Sequence, residues 1–298
     1  SLMEILPQLL VNAIIAGSIY ALASSGLSLT YGLLRILNFA HGHLMMVGVY
    51  FFYLLSVEYQ WSLAASGLGT IVFSILLAAV TLRIFVLPFS KYSFILTLVT
   101  TLALSNIIEA LVSICFGVNV KSLSPGTAAK SIEIGSVYIT PIQIIIIVSA
   151  LTLLSATAFI IHQSSLGRKI RALSADAFAA QSVGIHESRV CFLVYTLAVI
   201  YAAFAGILVG YETNMQPTMG TTYTIKAFAA MVLGGLGNLW GTIIGSYILG
   251  LVENLSIGLD FGGYSIPAGY KDAFSFMIIL LVLLFRPQGL FTKKKRAA

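Results

Sequence analysis

Apolar residues in this chain come in long runs that stop at charges, prolines or polar clusters. The runs are Leu6 to Leu34, Asn38 to Ser56, Ser62 to Leu82, Ser93 to Phe116, Pro141 to Ile161, Val190 to Tyr211, Ile225 to Leu255 and a last one ending at Phe285. About 20 mostly apolar residues suffice for a helix to cross a hydrocarbon core of roughly 30 Å. The pattern predicts an all-α polytopic transmembrane bundle of about eight hydrophobic segments.

The segment from Ile225 to Leu255 differs from the rest. As one helix it would be about 45 Å long, too long for the core. It carries Gly234, Gly235, Gly237 and Gly241, with Asn238 among them. Two short helices broken near Gly237 would explain both features, and such breaks occur at membrane depth where backbone is buried or lines a cavity. A tilted helix with packing glycines is the alternative. Gly237, Gly241 and Gly245, like Gly206 and Gly210, recur every four residues, which lets helices approach closely in lipid.

Composition agrees with lipid as the solvent. The 298 residues are 59% hydrophobic and 9% charged, against roughly 25% charged in ordinary globular proteins. Mean hydropathy is +1.00. The net charge of +6 comes from basic residues spread between apolar runs, which suits a bilayer and excludes nucleic acid as the expected partner. Cys115 and Cys191 lie far apart in apolar runs, without CxxC, and read as buried free thiols. The first run lacks a basic n-region and a cleavage site before it, so it is expected to be a membrane helix and not a signal peptide.

Let the N-terminus lie outside and the Ile225 to Leu255 segment enter and leave on one side. Arg35, Arg83, Lys91, Arg168, Lys169, Arg171, Arg189, Arg286, Lys293, Lys294, Lys295 and Arg296 then face the cytoplasm, with the C-terminus. Lys121, Lys130, Lys226 and Lys271 stay outside. Basic residues near helix ends resist translocation, so this orientation is the expected one.

Two loops are long enough to matter. The outer loop, 117–140, has a turn signal at Pro125-Gly126 and a polar–apolar alternation around Glu133 to Tyr138, which predicts a small hairpin or lid. In the inner loop, 162–189, Ile170, Leu173 and Ala177 recur at helical spacing beside Arg168, Lys169 and Arg171. Ser174 is placed to cap a second short helix with Asp176 in its first turn, and Gly184 suits the position after its end. An amphipathic elbow results, to be read either as a docking element or as a basic helix lying on anionic lipid.

Four motifs then carry a resemblance. They are Tyr31-Gly32 through Arg35-Ile36-x-Asn38-Phe39-Ala40-His41-Gly42; Gly167-Arg168-x-x-Arg171-Ala172 followed by Asp176, Ala180 and Gly184-Ile185; Val232 to Asn238; and Phe285-Arg286-Pro287-x-Gly289-Leu290. In this order, over about residues 6 to 291, the chain resembles LivH-type permease subunits of bacterial branched-chain amino acid ABC importers. The resemblance implies residues 1–298 as one transmembrane permease domain with a basic cytoplasmic tail, 286–298, in the bacterial inner membrane. It also implies a second permease subunit, two cytoplasmic ATPase subunits and a soluble substrate-binding protein. The ATPase-coupling residues would be Gly167, Arg168, Arg171, Ala172, Asp176, Ala180, Gly184 and Ile185. The chain has no GxxxxGK[ST] sequence, so no cofactor is expected on it and ATP would be used by the partners. Asn38 to Tyr50 and Asn238 to Tyr247 share an opening Asn, a glycine and a closing Gly-x-Tyr, which suggests a pseudo-symmetric pair.

Polar residues within apolar spans are costly and are candidates by default. Asn38 and His41, at the cytoplasmic entry of the second span, either cap helix ends or line a gate. Asn106 and Glu109 share one helix face at i, i+3. With Gly237 and Asn238 these four make up the expected pathway or gate. Glu212 and Glu253 are expected near the outer surface, in packing or in docking the binding protein. The four histidines, His41, His43, His162 and His186, offer no metal-ligand arrangement, and no carboxylate accompanies the close pair His41 and His43. No serine is paired with His and Asp, so an enzyme is not expected. Two functions stay in view: a permease driven by partner ATPases, for branched-chain amino acids or for urea and short amides, and a self-sufficient secondary transporter.

Overall fold

A computed structural model describes residues 2–124, 130–258, 260–261 and 264–291. Its elements follow the apolar runs closely. α1 is Leu2–Leu34 and α2 is His41–Tyr53, prolonged by a wide π turn at Leu54–Glu58. α3 is Leu63–Thr81, followed by a second π turn at Leu82–Val86 and by α4, Leu87–Ser90. α5 spans Phe94–Phe116, α6 Pro141–Gln163, α7 Ser165–Ala175, α8 Ala177–Ser182 and α9 Glu187–Glu212. α10 (Met219–Gly234), α11 (Leu239–Gly258) and α12 (Lys271–Phe285) complete the α-helices of the described residues.

Helix starts sit where the sequence supplies an acceptor for the first free N–H groups. Ser62 Oγ accepts from Ala65 N–H at 3.2 Å and Ser93 Oγ from Ile95 N–H at 3.1 Å. Thr140 opens α6 with Pro141 at the first helical position, and Gln143 Oε1 accepts from Thr140 N–H at 3.0 Å in a capping box.

The expected hairpin forms in the 117–140 loop. Strand β1, Ile132–Ile134, pairs antiparallel with β2, Val137–Ile139, and Gly135 turns between them at φ +62°. Gln8 on α1 clips onto it, accepting from Tyr138 N–H (2.7 Å) and donating to its carbonyl (3.1 Å). A second two-residue pair, β3 (Asp260–Phe261) and β4 (Tyr264–Ser265), lies between α11 and α12. Pro125-Gly126 and the Lys293 to Arg296 cluster lie outside the described residues.

Among the described residues, five helical stretches, within 3–34, 63–90, 94–116, 141–163 and 187–212, are long and apolar enough to cross a membrane, and the bent pair α10 and α11 makes a sixth if it is one span. The other two predicted segments, α2 and α12, are helical but have only 13 and 15 residues. The bend between α10 and α11 is 117°. It falls at Gly235 to Asn238, with Gly235 at φ +110° and Gly237 at φ +77°, so the break is real and the single tilted helix is excluded.

α1 runs through the middle of the bundle and packs most extensively against α11. The contact is made close by glycine and is tied by hydroxyls. A Cβ on Gly250 would come within 2.8 Å of Gly17 N, and one on Gly17 within 2.9 Å of Tyr247 Cα. Ser18 meets the Tyr247 hydroxyl at 3.0 Å, Ser24 meets Ser246 at 2.8 Å, and Thr242 donates to Ser28 at 3.1 Å.

Candidate functional site

The stretch from Arg35 to Ala40 leaves α1 without forming a helix and returns into the bundle. His41 Nε2–H donates to the carbonyl of Ala23 at 2.6 Å. Ala23 lies eleven residues before the end of α1, about 16 Å along its axis. α2 therefore begins at membrane depth, and Asn38 and His41 are buried inside the bundle instead of standing at its cytoplasmic entry. Hydropathy cannot show this, because a run that starts halfway across looks like one that starts at the surface. Asn38 Oδ1 accepts from Ala40 N–H at 3.0 Å, which closes the turn into α2.

α10 starts at the same level from the other side of the membrane. Gly42 N–H donates to Thr224 Oγ1 at 2.9 Å. A Cβ on Gly42 would fall 2.6 Å from Thr224 N, and one on Gly220 would fall 3.0 Å from His43 Cα. From this crossing α2 runs toward the end of the bundle that holds Gly210 and Phe116, and α10 runs toward Gly241 and Gly289 at the opposite end. Two half-length helices thus meet near their N-termini, where the positive ends of both dipoles converge. Such broken elements are tolerated where they line a cavity or are covered by protein.

His43 faces away from His41. Its Nε2 lies 3.6 Å from Glu109 Oε2 on α5, so a carboxylate does accompany the close pair, brought from 66 residues away by folding. His43 Nδ1 has no hydrogen-bond partner. The Glu109 side chain is 36% exposed. Asn106, one turn before it, is exposed, and Ser113, one turn after, is half-buried. A polar stripe therefore runs along the open edge of α5 beside the start of α2.

The elbow within 162–189 forms as two short helices. Ser164 Oγ accepts from Gly167 N–H at 3.2 Å and starts α7. The cap of α8 is Asp176, whose Oδ1 accepts from Ala179 N–H at 3.0 Å; Ser174, expected in that role, lies inside the last turn of α7. Gly184 follows α8 at φ +89° as expected. Ile170, Leu173 and Ala180 are buried against Leu29, Val190, Val194 and Leu239. A Cβ on Gly167 would come within 2.7 Å of the Ile160 carbonyl, so glycine is what lets α7 fold back on α6. The opposite face of the elbow shows Phe178, 81% exposed, and Val183, 78% exposed.

Comparison with known proteins places this arrangement. A family described as branched-chain amino acid transport system permease component matches residues 9–283. The chain belongs to that family. Among its relatives, the high-affinity branched-chain amino acid transport system permease protein LivH of Salmonella typhimurium is 33% identical over 297 residues, covering 95% of this chain and 94% of LivH. BraD of Pseudomonas aeruginosa, with the same description, is 32% identical over 301 residues and 95% and 94% of the two chains. The ribose import permease protein RbsC of Escherichia coli is 37% identical over 136 residues, 43% of this chain and 41% of RbsC. A solved structure of PsaBC from Streptococcus pneumoniae in complex with Fab superposes with a TM-score of 0.52 at 15% identity, over 95% of this chain and 92% of that one, a likeness of fold.

A member of this permease family is a multi-pass membrane protein that transports and does not catalyse a reaction of its own. Its remaining charged candidates sort by burial. Glu253, expected at an outer docking surface, is 0% exposed, because Tyr20 donates to its Oε2 at 2.6 Å, Ser275 donates to Oε1 at 2.7 Å, and Lys226 closes the ion pair. Lys226 itself, expected on the outer side at the start of the Ile225 to Leu255 segment, is on α10 and 4% exposed, with Asp272 Oδ1 at 3.0 Å as its second anion. Glu212 is half-buried at the end of α9 and accepts from Gln143 at 2.8 Å. Asn238 starts α11 by accepting from Gly241 N–H at 3.2 Å, much as Asn38 serves α2. The two asparagines sit at different depths, since Gly237 packs against Gly32 at the end of α1.

Sequence reasoning missed three things: the Lys226 network, His43 as the partner of Glu109, and the hydroxyl ladder between α1 and α11. A basic residue inside an apolar run was the available signal for the first. The other two join residues far apart in the chain and leave no local signal.

Proposed function

We propose that this permease is one of the two membrane subunits of an ABC importer that moves branched-chain amino acids into the cytoplasm of a bacterium. ATP is hydrolysed by two ATPase subunits docked on the α7–α8 elbow, and a soluble binding protein delivers substrate from outside. The observation that carries this reading is the elbow. Its apolar face is anchored on α1, α9 and α11 while Phe178 and Val183 project from it, largely uncovered by the described residues. A helix that only lay on lipid would need no such rigid seat. The names of LivH and BraD support the substrate, and their nearly full-length coverage supports it more than the partial match to RbsC supports a sugar.

In this reading Arg35, Arg168, Arg171 and Arg286 face the cytoplasm and the β1–β2 hairpin faces outside. The stripe of Asn106, Glu109 and Ser113 on α5, with the crossing of α2 and α10 behind it, lines the path shared with the second permease. A carboxylate left 36% exposed at membrane depth needs water or protein and not lipid. Gly237 and Asn238 place the inner end of the re-entrant pair beside the elbow, where movement of a docked ATPase reaches it.

The test is purification from native membranes in mild detergent, followed by uptake in liposomes with labelled leucine, urea and ribose. A second permease and two ATPases should come with the chain, and leucine uptake should need ATP. Recovery of the chain alone, with flux in liposomes lacking ATP, would overturn the reading in favour of a secondary transporter.

A further inference from the structure

At the end of the bundle that carries the elbow, a cavity of about 630 Å³ lies between the last turns of α1, the end of α6, α7 and the entry of α11. Its lining divides by chemistry. Leu29, Ile161, Ile170, Leu236, Leu239 and Trp240 form an apolar wall, Arg35 and Arg171 contribute two guanidiniums, and no carboxylate is among the lining residues.

Neither arginine has a carboxylate partner among the described residues. Arg171 donates one N–H to the carbonyl of Ile161 at the end of α6, which leaves the rest of its fork for another acceptor. Arg35 follows the last residue of α1 at φ +56°, a conformation that glycine usually supplies at a helix end. Its guanidinium lies 5.7 Å from the centre of the Tyr31 ring. α11, 20 residues long, starts at the same cavity. Its first-turn N–H groups at Leu239 and Trp240 have no acceptor within the helix, and they add the positive end of a helix dipole to the two guanidiniums.

The apolar side of the cavity is open to the outside of the bundle. Trp240 is 50% exposed and Leu236 37% exposed. The Trp240 indole donates to His162 Nε2 at 2.8 Å, which holds the half-exposed ring at the rim of the cavity; an amphipathic aromatic of this kind suits a membrane–water interface. A site that is cationic at one side and apolar at the other, at the boundary of a membrane, matches one ligand chemistry: a phosphate carrying hydrocarbon chains.

We infer that this cavity binds the headgroup phosphate of an anionic phospholipid from the inner leaflet. Arg35, Arg171 and the start of α11 hold the phosphate, and the acyl chains leave past Leu236 and Trp240. The absence of a carboxylate from the lining argues against a zwitterionic lipid, whose headgroup cation would find no partner there. A lipid so bound would join the elbow to the re-entrant pair. The inference rests on the proposed orientation of the chain and is independent of its substrate.

The test is native mass spectrometry of the assembled transporter titrated with dioleoyl phosphatidylglycerol, with dioleoyl phosphatidylcholine and with inorganic phosphate. Phosphatidylglycerol should bind selectively, and the double variant Arg35→Gln with Arg171→Gln should weaken it by about fivefold for each arginine. Lys169→Gln with Arg189→Gln removes two charges from the same end of the bundle outside the cavity and should leave binding within about twofold of the parent. Equal losses in the two double variants, or equal binding of the two lipids, would refute the site as a case of general surface attraction. Displacement of the lipid by millimolar inorganic phosphate would refute the lipid and assign the cavity to free phosphate. Lipid binding seen only after the ATPases are stripped would refute it in favour of an acidic side chain of that partner. Should the double variant fail to assemble, Arg35→Gln alone carries the test, and unchanged binding in it overturns the site. If no ATPase comes with the chain, the importer reading fails while the lipid titration of the chain alone still stands.

Discussion

Two carboxylates at membrane depth, Glu253 and Glu109, are handled by the same fold in opposite ways. Glu253 is fully buried and is met by Lys226, Tyr20 and Ser275, while Asp272 supplies the second anion for Lys226. Glu109 is 36% exposed and has one partner among the described residues, His43, at 3.6 Å. The first has nearly all of its acceptor capacity filled, so it holds α1, α10, α11 and α12 together and has nothing left for a passing ligand. The second is underfilled and open. An ionisable group in a membrane is a functional candidate by default, and the difference between these two shows that the count of its partners decides which kind of candidate it is.

The comparison is broken most directly at Lys226. Lys226→Met leaves Glu253 buried without its cation, which is expected to cost about 3–5 kcal/mol. Melting in detergent and membrane yield should both drop steeply, and adding Glu253→Gln should restore most of the loss. A single variant that melts like the parent would show that the network is not structural and that Glu253 has to be read like Glu109.

Gly42→Ala acts on the crossing that sets the position of His43. Its new Cβ would press on Thr224 N, built at 2.6 Å, and overpacking of this kind costs about 1–3 kcal/mol. Melting and uptake should fall together. Reduced uptake with unchanged melting would place the effect on the path alone.

Glu109→Gln separates the two carboxylates. Its effect on melting should stay within about 0.5 kcal/mol, because the side chain is 36% exposed and the amide keeps an acceptor toward the buried His43. Uptake should fall several-fold with the ATPases still bound. Failure to assemble with the second permease would move Glu109 into the same structural class as Glu253.

The legible and illegible parts of the chain divide along the same line. Helices such as α5 and α6, the break between Gly235 and Asn238 and the hairpin around Gly135 are set by residues near one another in sequence, and they stand where the pattern of apolar runs and turn residues puts them. The elbow was legible except for its cap: Ser174 and Asp176 are both good capping residues two positions apart, and the end of α7 decides between them. Depth was not legible, since nothing in the run after Asn38 says that it starts inside the bundle. Nor was pairing, because His43 with Glu109 and Lys226 with Glu253 depend on which helices become neighbours.

The smallest expected effect is at Asn106, and there its sign matters more than its size. Asn106 is exposed one turn from Glu109. If that edge of α5 faced lipid, Asn106→Leu would remove a polar group from hydrocarbon and raise the melting temperature in bilayer discs. If the edge faces water or a second permease, leucine gains nothing there, and stability should change by less than about 0.5 kcal/mol. Uptake should fall by less than in Glu109→Gln, because an amide is lost and not a charge. A clear rise in melting temperature with normal uptake would turn the stripe toward lipid and leave Glu109 as an isolated polar group beside His43.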